Sequence, residues 1–244
     1  MNPRLTVATA GRVLAQIRND RRTLALLLVV PCVLMGLLAW IYHNTPVFDQ
    51  VGAPLLALFP FLVMFLVTSI ATLRERQSGT LERLLTLPVA KADLVGGYAL
   101  AFGLLAAVQA LIVATFAITV LGLDVAGAAW QLIVIAVVDC LLGTALGLFL
   151  SAFAATEFQA VQFLPAFVLP QFLLCGLLVP RGQLPDVLRW ISDVLPLSYA
   201  VDAMKTVATD PNGGAAVMAD IGIVLGFVLV LIAAGAATLR RRTP

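Results

Sequence analysis

Six long apolar runs dominate this chain: Leu24–Tyr42, Ala53–Leu73, Leu94–Leu121, Trp130–Phe153, Phe158–Val179 and Asp220–Leu239. A helix crossing a hydrocarbon core of about 30 Å needs about 20 residues. In lipid, only helices and closed barrels satisfy every backbone polar group. The runs therefore predict an all-α polytopic membrane protein with six transmembrane helices. Charged residues make up 11% of the chain, against about 25% in soluble domains. The first run is too long for a signal-peptide core and ends in Trp40-Ile41-Tyr42 instead of small residues, so it is read as a retained span. Residues 1–23 precede it as a separate amphipathic segment, and residues 24–244 form the six-helix domain.

The basic residues set the orientation. Arg4, Arg12, Arg18, Arg21 and Arg22 precede span one. Arg74, Arg76, Arg83 and Lys91 follow span two, and Arg240, Arg241 and Arg242 follow span six. With six spans these segments share one side, which the positive-inside rule makes the cytoplasm. Arg181, Arg189 and Lys205 fall in a single opposite loop, and Trp40, Trp130 and Trp190 map to the outer interface. A multi-pass cell-membrane protein with both termini cytoplasmic is expected.

Three amphipathic segments lie outside the spans. Ala10, Val13, Leu14 and Ile17 recur at helical spacing, which predicts an interfacial helix along the inner leaflet. The stretch Arg74–Pro88 is dense in charge and carries Leu81, Leu84 and Leu85 on one face of a short helix that Pro88 limits. A loop of this kind suits docking against another protein on the wet side. Between spans five and six, Leu184, Val187, Leu188, Ile191 and Leu195 repeat helically, with Pro185 suited to a first turn. Pro196 then separates a second stretch, Leu197–Val207, and Asp210-Pro-Asn-Gly-Gly makes a turn. These outer helices are expected to cap the bundle or dip into the outer leaflet.

Within the membrane, Asp139 is the clear midplane charge and should face protein or water. Two readings stand: a carboxyl neutral or hydrogen-bonded in the bundle, or a group in gating or proton coupling. Gly143, Gly147 and Ser151 continue its face at four-residue steps, a stripe that permits close helix approach. Span five contains Pro165 and Pro170, which leave backbone groups for neighbours to satisfy. Cys32, Cys140 and Cys175 lie far apart in apolar runs, and His43 is the single histidine, so neither a disulfide framework nor a metal site is expected.

Two segments carry a family resemblance. Arg74-Glu75-Arg76-Gln77-Ser78-Gly79-Thr80-Leu81-Glu82-Arg83-Leu84-Leu85, followed by Leu87-Pro88-Val89, resembles the first cytoplasmic loop and coupling helix of type-2 ABC transporter permeases. Leu195-Pro196-Leu197-Ser198-Tyr199-Ala200-Val201-Asp202-Ala203-Met204 is similar to the stretch these permeases carry before their last span. The multidrug and lipid exporter branch, with its daunorubicin-resistance-type permeases, is the nearest subgroup. The resemblance implies a permease subunit, not an enzyme, that moves amphipathic drugs or lipids out of the cytoplasm or inner leaflet. It implies two ATP-binding subunits that bind ATP and Mg, and a second permease chain, identical or related. No cofactor is expected on this chain, and membrane lipid but no nucleic acid is expected around it.

The chain contains no GxxxxGK[ST] phosphate loop, which agrees with ATP hydrolysis on another polypeptide. The resemblance assigns ATPase coupling to Arg74, Glu75, Arg76, Gly79, Thr80, Leu81, Glu82, Leu84 and Leu85, with Glu157 in the turn after span four as a second contact. It also implies a central cavity built by spans two and five, which makes Phe61, Phe65, Phe163, Phe167 and Gln171 candidate cavity residues. A permease for polysaccharide or another polymer is the alternative within this family. A secondary transporter would be expected to show internal repeats around midplane charges. An embedded enzyme would need clustered catalytic groups, and neither pattern is found.

Overall fold

The computed structural model describes residues 3–43, 45, 47–78 and 91–238. Every regular element among them is helical: α1 (Pro3–Asn19), α2 (Arg21–Ile41), α3 (Val47–Gln77), α4 (Lys91–Thr119), α5 (Ala129–Leu150), α6 (Glu157–Phe163), a π-helical turn (Leu164–Val168), α7 (Leu169–Leu174), a 3₁₀ turn (Arg181–Gln183), α8 (Asp186–Val194), α9 (Pro196–Thr209) and α10 (Gly214–Thr238).

Five of these, α2, α3, α4, α5 and α10, are long and apolar enough to cross a membrane. This corrects the expected count of six uninterrupted spans. The fifth apolar run is helical from Glu157 to Leu174 but is broken in the middle. Pro165 and Pro170 remove two backbone donors. The chain answers by widening one turn, in which the Leu169 N–H reaches back five residues to the Leu164 carbonyl. Gly176, at φ +88°, then turns the chain out of the helix, five residues before Arg181.

α2 begins at Arg21 because Asp20 caps it. The Asp20 carboxylate accepts from the Arg22 and Thr23 backbone N–H groups and from the Thr23 hydroxyl. α3 extends beyond the expected run at both ends. At 31 residues it is roughly 46 Å long, more than the bilayer core requires, and its last turn carries Arg74, Glu75 and Arg76 out of the apolar zone.

α3 and α5 pack at the centre with almost no separation. A Cβ added at Gly143 would lie 2.5 Å from the Phe61 carbonyl oxygen, and one at Gly147 would lie 2.7 Å from that of Phe65. The small-residue stripe therefore does what its spacing predicts: it brings two backbones into contact. α1 packs as closely on α4, where a Cβ at Gly97 would meet the Thr9 side chain at 2.5 Å. The face read as lipid-facing, Ala10, Val13 and Ile17, is instead buried in protein. One further tie crosses the core: the buried Gln109 side chain donates to the Leu27 carbonyl at 2.8 Å, joining α4 to α2.

The two outer helices behave differently. α8 leaves Val187, Trp190, Ile191 and Val194 exposed on one face. Pro185 precedes its first turn as the N-cap, one position earlier than expected. α9 starts with Pro196 in its first turn and turns inward, with Leu197, Ala200, Val201, Ala203, Met204 and Val207 buried. It fills the space between α3, α5 and α10. The turn after it closes as read from the sequence, with the Asn212 N–H donating to the Asp210 carboxylate at 2.8 Å.

Candidate functional site

Three consecutive residues at the end of α3 reach three different neighbours. Successive helical residues are rotated by about 100°, so Arg74, Glu75 and Arg76 fan outward. Glu75 accepts two hydrogen bonds from the Arg12 guanidinium of α1, at 2.9 and 3.2 Å. Arg12 also donates to the Tyr98 hydroxyl of α4 at 3.1 Å, with its guanidinium 5.9 Å from that ring. Arg74 forms a bidentate pair with Glu157 at the start of α6, at 2.7 and 3.2 Å. Arg76 donates to the Ser151 carbonyl at the end of α5, and Gln77 donates to the Ala155 carbonyl at 2.9 Å.

The turn that receives them is itself organised. Thr156 caps α6 by accepting from the Gln159 N–H, while the Gln159 side chain accepts from the Ala155 N–H. The hydrogen bond from Arg74 holds the Glu157 carboxyl below its ordinary pKa. The root of the first basic loop is thus joined to α1, α4 and the α5–α6 turn.

Of the residues read as coupling positions, Arg74, Glu75, Arg76 and Glu157 are brought together here. Gly79, Thr80, Leu81, Glu82, Leu84 and Leu85 lie outside the described residues. Arg12 was missed as a site residue, because a basic segment before a first span already has a sufficient explanation in orientation. The available signal was Glu75, a carboxylate at the end of an apolar helix that needs a partner.

The five candidate cavity residues separate. Phe61 and Phe65 are fully buried, and their backbones lie against α5. In this arrangement they serve helix packing. Phe163 and Phe167 sit on the broken helix, their rings edge to face at 5.9 Å, and Phe167 is 46% exposed. Gln171 is one turn further on and buried, its amide donating to the Phe167 carbonyl at 3.1 Å. Asp139 is completely buried where α5 meets α9 and α10, beside Ala200, Ala203, Ile221 and Val224. Neither of its oxygens has a hydrogen-bond partner among the described residues.

A second polar cluster lies at the opposite end. Arg181 donates to Asp193 of α8 and to Asp202 of α9, and its guanidinium stands 5.1 Å from the Tyr199 ring. Lys205 donates to the Gly176 carbonyl. Burial lifts the Asp202 carboxyl above its usual range, against the opposing pull of Arg181.

Residues 4–208 match the family of ABC-2 type transporters. Over 153 residues the chain is 28% identical to the probable multidrug ABC transporter permease YbhR of Escherichia coli, an alignment covering 63% of this chain and 42% of that protein. It is 25% identical over 181 residues to the linearmycin resistance permease protein LnrN of Bacillus subtilis, covering 74% and 47%. It is 26% identical over 164 residues to ABC transporter G family member 20 of Dictyostelium discoideum, covering 67% and 22%. The chain spans less than half the length of each of these relatives.

Proposed function

We propose, because the chain belongs to the ABC-2 type transporter family, that it is the membrane subunit of an ATP-driven exporter of amphipathic drugs or lipids. Its basic end faces the cytoplasm, where two ATP-binding subunits supply ATP hydrolysis, and a second permease chain, identical or related, completes the transport path. The observation that carries the coupling role is the Arg74–Glu157 pair. It joins the root of the first basic loop to the α5–α6 turn, so two segments 83 residues apart in sequence offer one surface to a partner. A push on that surface reaches α1 and α4 through Arg12 and Tyr98, and reaches α5 through the Ser151 carbonyl.

The cargo face is assigned to the broken helix. Phe163 and Phe167 present an aromatic surface, and Gln171 adds a polar group one turn away. Such a surface suits a large amphipathic ligand. The widened turn lets this helix bend where a continuous α-helix would resist.

The test is capture of the ATP-binding subunit with the tagged chain from solubilised membranes. Leu84→Asp with Leu85→Asp leaves the chain in the membrane but abolishes capture and transport. Unchanged capture together with unchanged transport overturns the assignment.

A further inference from the structure

Asp139 is the eleventh of the 22 residues of α5, at the middle of a spanning helix. Its carboxyl is completely buried, and neither oxygen has a hydrogen-bond partner among the described residues. The cleft beside it is apolar, lined by Ile135 and Val138 of α5, Ala200 and Ala203 of α9, and Ile221 and Val224 of α10. It leaves no room for a water molecule. An ionised carboxylate here would have neither a counter-charge nor solvent. A carboxylic acid can instead donate its proton to a carbonyl of its own helix.

The seam has one polar approach. Toward the basic end, the backbones of α5 and α3 are in contact at Gly143, one turn beyond Asp139. Toward the Arg181 end, both covering helices carry carboxylates next to the residues that line the cleft. Asp202 precedes Ala203 on α9, and Asp220 precedes Ile221 on α10, one turn before Val224. Both carboxylates are partly exposed, and Asp220 lies within electrostatic reach of Asp202 and Arg181. Cys140, beside Asp139 on α5, is buried. Tyr199 and Lys205 of α9 donate to the Asp193 and Gly176 carbonyls. The charged groups of α3 lie near its two ends, those of α4 lie in its first turn, and Tyr98 of α4 is engaged by Arg12.

We infer that Asp139 is a proton-binding site that opens to the Arg181 end. Its carboxyl holds one proton while α9 and α10 lie against α5. When α9, a helix of 14 residues, shifts away, water at that end takes the proton by way of Asp220, and the same path returns it. The net change is one O–H bond at Asp139, broken as hydronium forms in the water. Raising pH therefore favours the parted arrangement, because only there is the carboxylate hydrated. The site uses neither the aromatic face of the broken helix nor the Arg74–Glu157 pair, so it stands apart from the cargo and coupling assignments.

The test is infrared spectroscopy of the full chain with its co-purifying subunits in lipid nanodiscs. At neutral pH, where an ordinary aspartate is ionised, the spectrum should contain the carbonyl band of a protonated carboxylic acid that Asp139→Asn removes. Should that variant fail to accumulate, Asp139→Glu shifts the band instead. After transfer to heavy water, Asp220→Asn should slow deuteration of this band by about a hundredfold, the lower end of what a positioned proton-transfer group contributes. Asp124→Asn replaces an exposed carboxylate on the α4–α5 connection, which meets the end of α9 at Val207, and should leave the rate unchanged. A spectrum in which no protonated band depends on Asp139 overturns the inference. So does deuteration at an unchanged rate in Asp220→Asn, which would bring the proton by another path. Equal slowing by Asp124→Asn also overturns it, since the effect would then be one of surface charge.

Discussion

The two ends of the bundle tie their helices with arginine–carboxylate pairs, but at different ranges and depths. At the basic end the partners are distant in sequence, 63 residues for Arg12–Glu75 and 83 for Arg74–Glu157, and the second pair is half exposed. At the opposite end Arg181 reaches only 12 and 21 residues, to Asp193 and Asp202, and its side chain is 17% exposed. The local cluster holds a connector: the chain leaving the broken helix is bound to α8 and α9 as it turns at Gly176. The long-range cluster joins α3 to α1, and through Arg12 to α4, and joins α3 to the start of α6. Exposed pairs contribute little to stability, whereas removing one partner of a buried pair leaves a desolvated charge behind. Arg181 is more enclosed than Arg12 or Arg74 and holds two carboxylates, so its loss should weigh more on stability, while the basic end should govern communication with a partner.

The largest effect is expected from breaking the local cluster. Arg181→Met leaves Asp202, 35% exposed, without its ion-pair partner and should cost about 2 kcal/mol. That corresponds to a fall in apparent melting temperature of about 4–8 °C in detergent. Adding Asp202→Asn should restore part of the loss, because the orphaned carboxylate is then gone. A double variant no better than the single one would show that Arg181 acts through its packing on Tyr199.

An intermediate effect is expected at Glu75, the less exposed carboxylate of the basic end. Glu75→Gln retains a hydrogen bond to Arg12, and Arg12 keeps Tyr98, so the stability cost should be about 1 kcal/mol. Coupling should suffer more, since α1 loses its charged link to α3. Transport-stimulated ATP hydrolysis in the assembled complex measures this. A variant that loses several degrees of melting temperature with unchanged stimulation would reverse the division between the two ends.

That division also marks what the sequence could reveal. Gly143 and Gly147 were legible because four-residue spacing of small residues has one geometric use in lipid. Pro165 and Pro170 announced a break, but not that one widened turn would absorb it. α1 and α9 were legible as helices, yet their apolar faces lie against protein. A hydrophobic period is the same whether lipid or a neighbouring helix covers it. Phe61 and Phe167 show the same limit, one wholly buried against α5 and the other half exposed. The pairing of Arg12 with Glu75 depends on the tertiary arrangement, which brings residues 63 positions apart into contact.

The smallest effect is a pH dependence whose sign differs between the two ends. Glu157 titrates below its ordinary value in the folded protein because Arg74 donates to its carboxylate. Its stabilising contribution is present above the unfolded glutamate value of about 4.3 and is lost as pH falls through the lower folded value. Asp202 titrates above its ordinary value because partial burial desolvates it. Its contribution is fully present below the unfolded aspartate value of about 3.9 and is lost as pH rises through the higher folded value. Acidification should therefore weaken the basic end while relieving the opposite one. In melting curves across pH 3–6, an interval chosen to bracket these values of about 4, Glu157→Gln should flatten the loss at the acid limit. Asp202→Asn should remove an opposing trend that begins just above the ordinary aspartate range. Both slopes should be shallow, since Glu157 is half exposed and solvent screens its pair with Arg74. Slopes of the same sign in the two variants would mean that Arg181, not burial, dominates at Asp202, and the contrast between the two ends would fail at that residue.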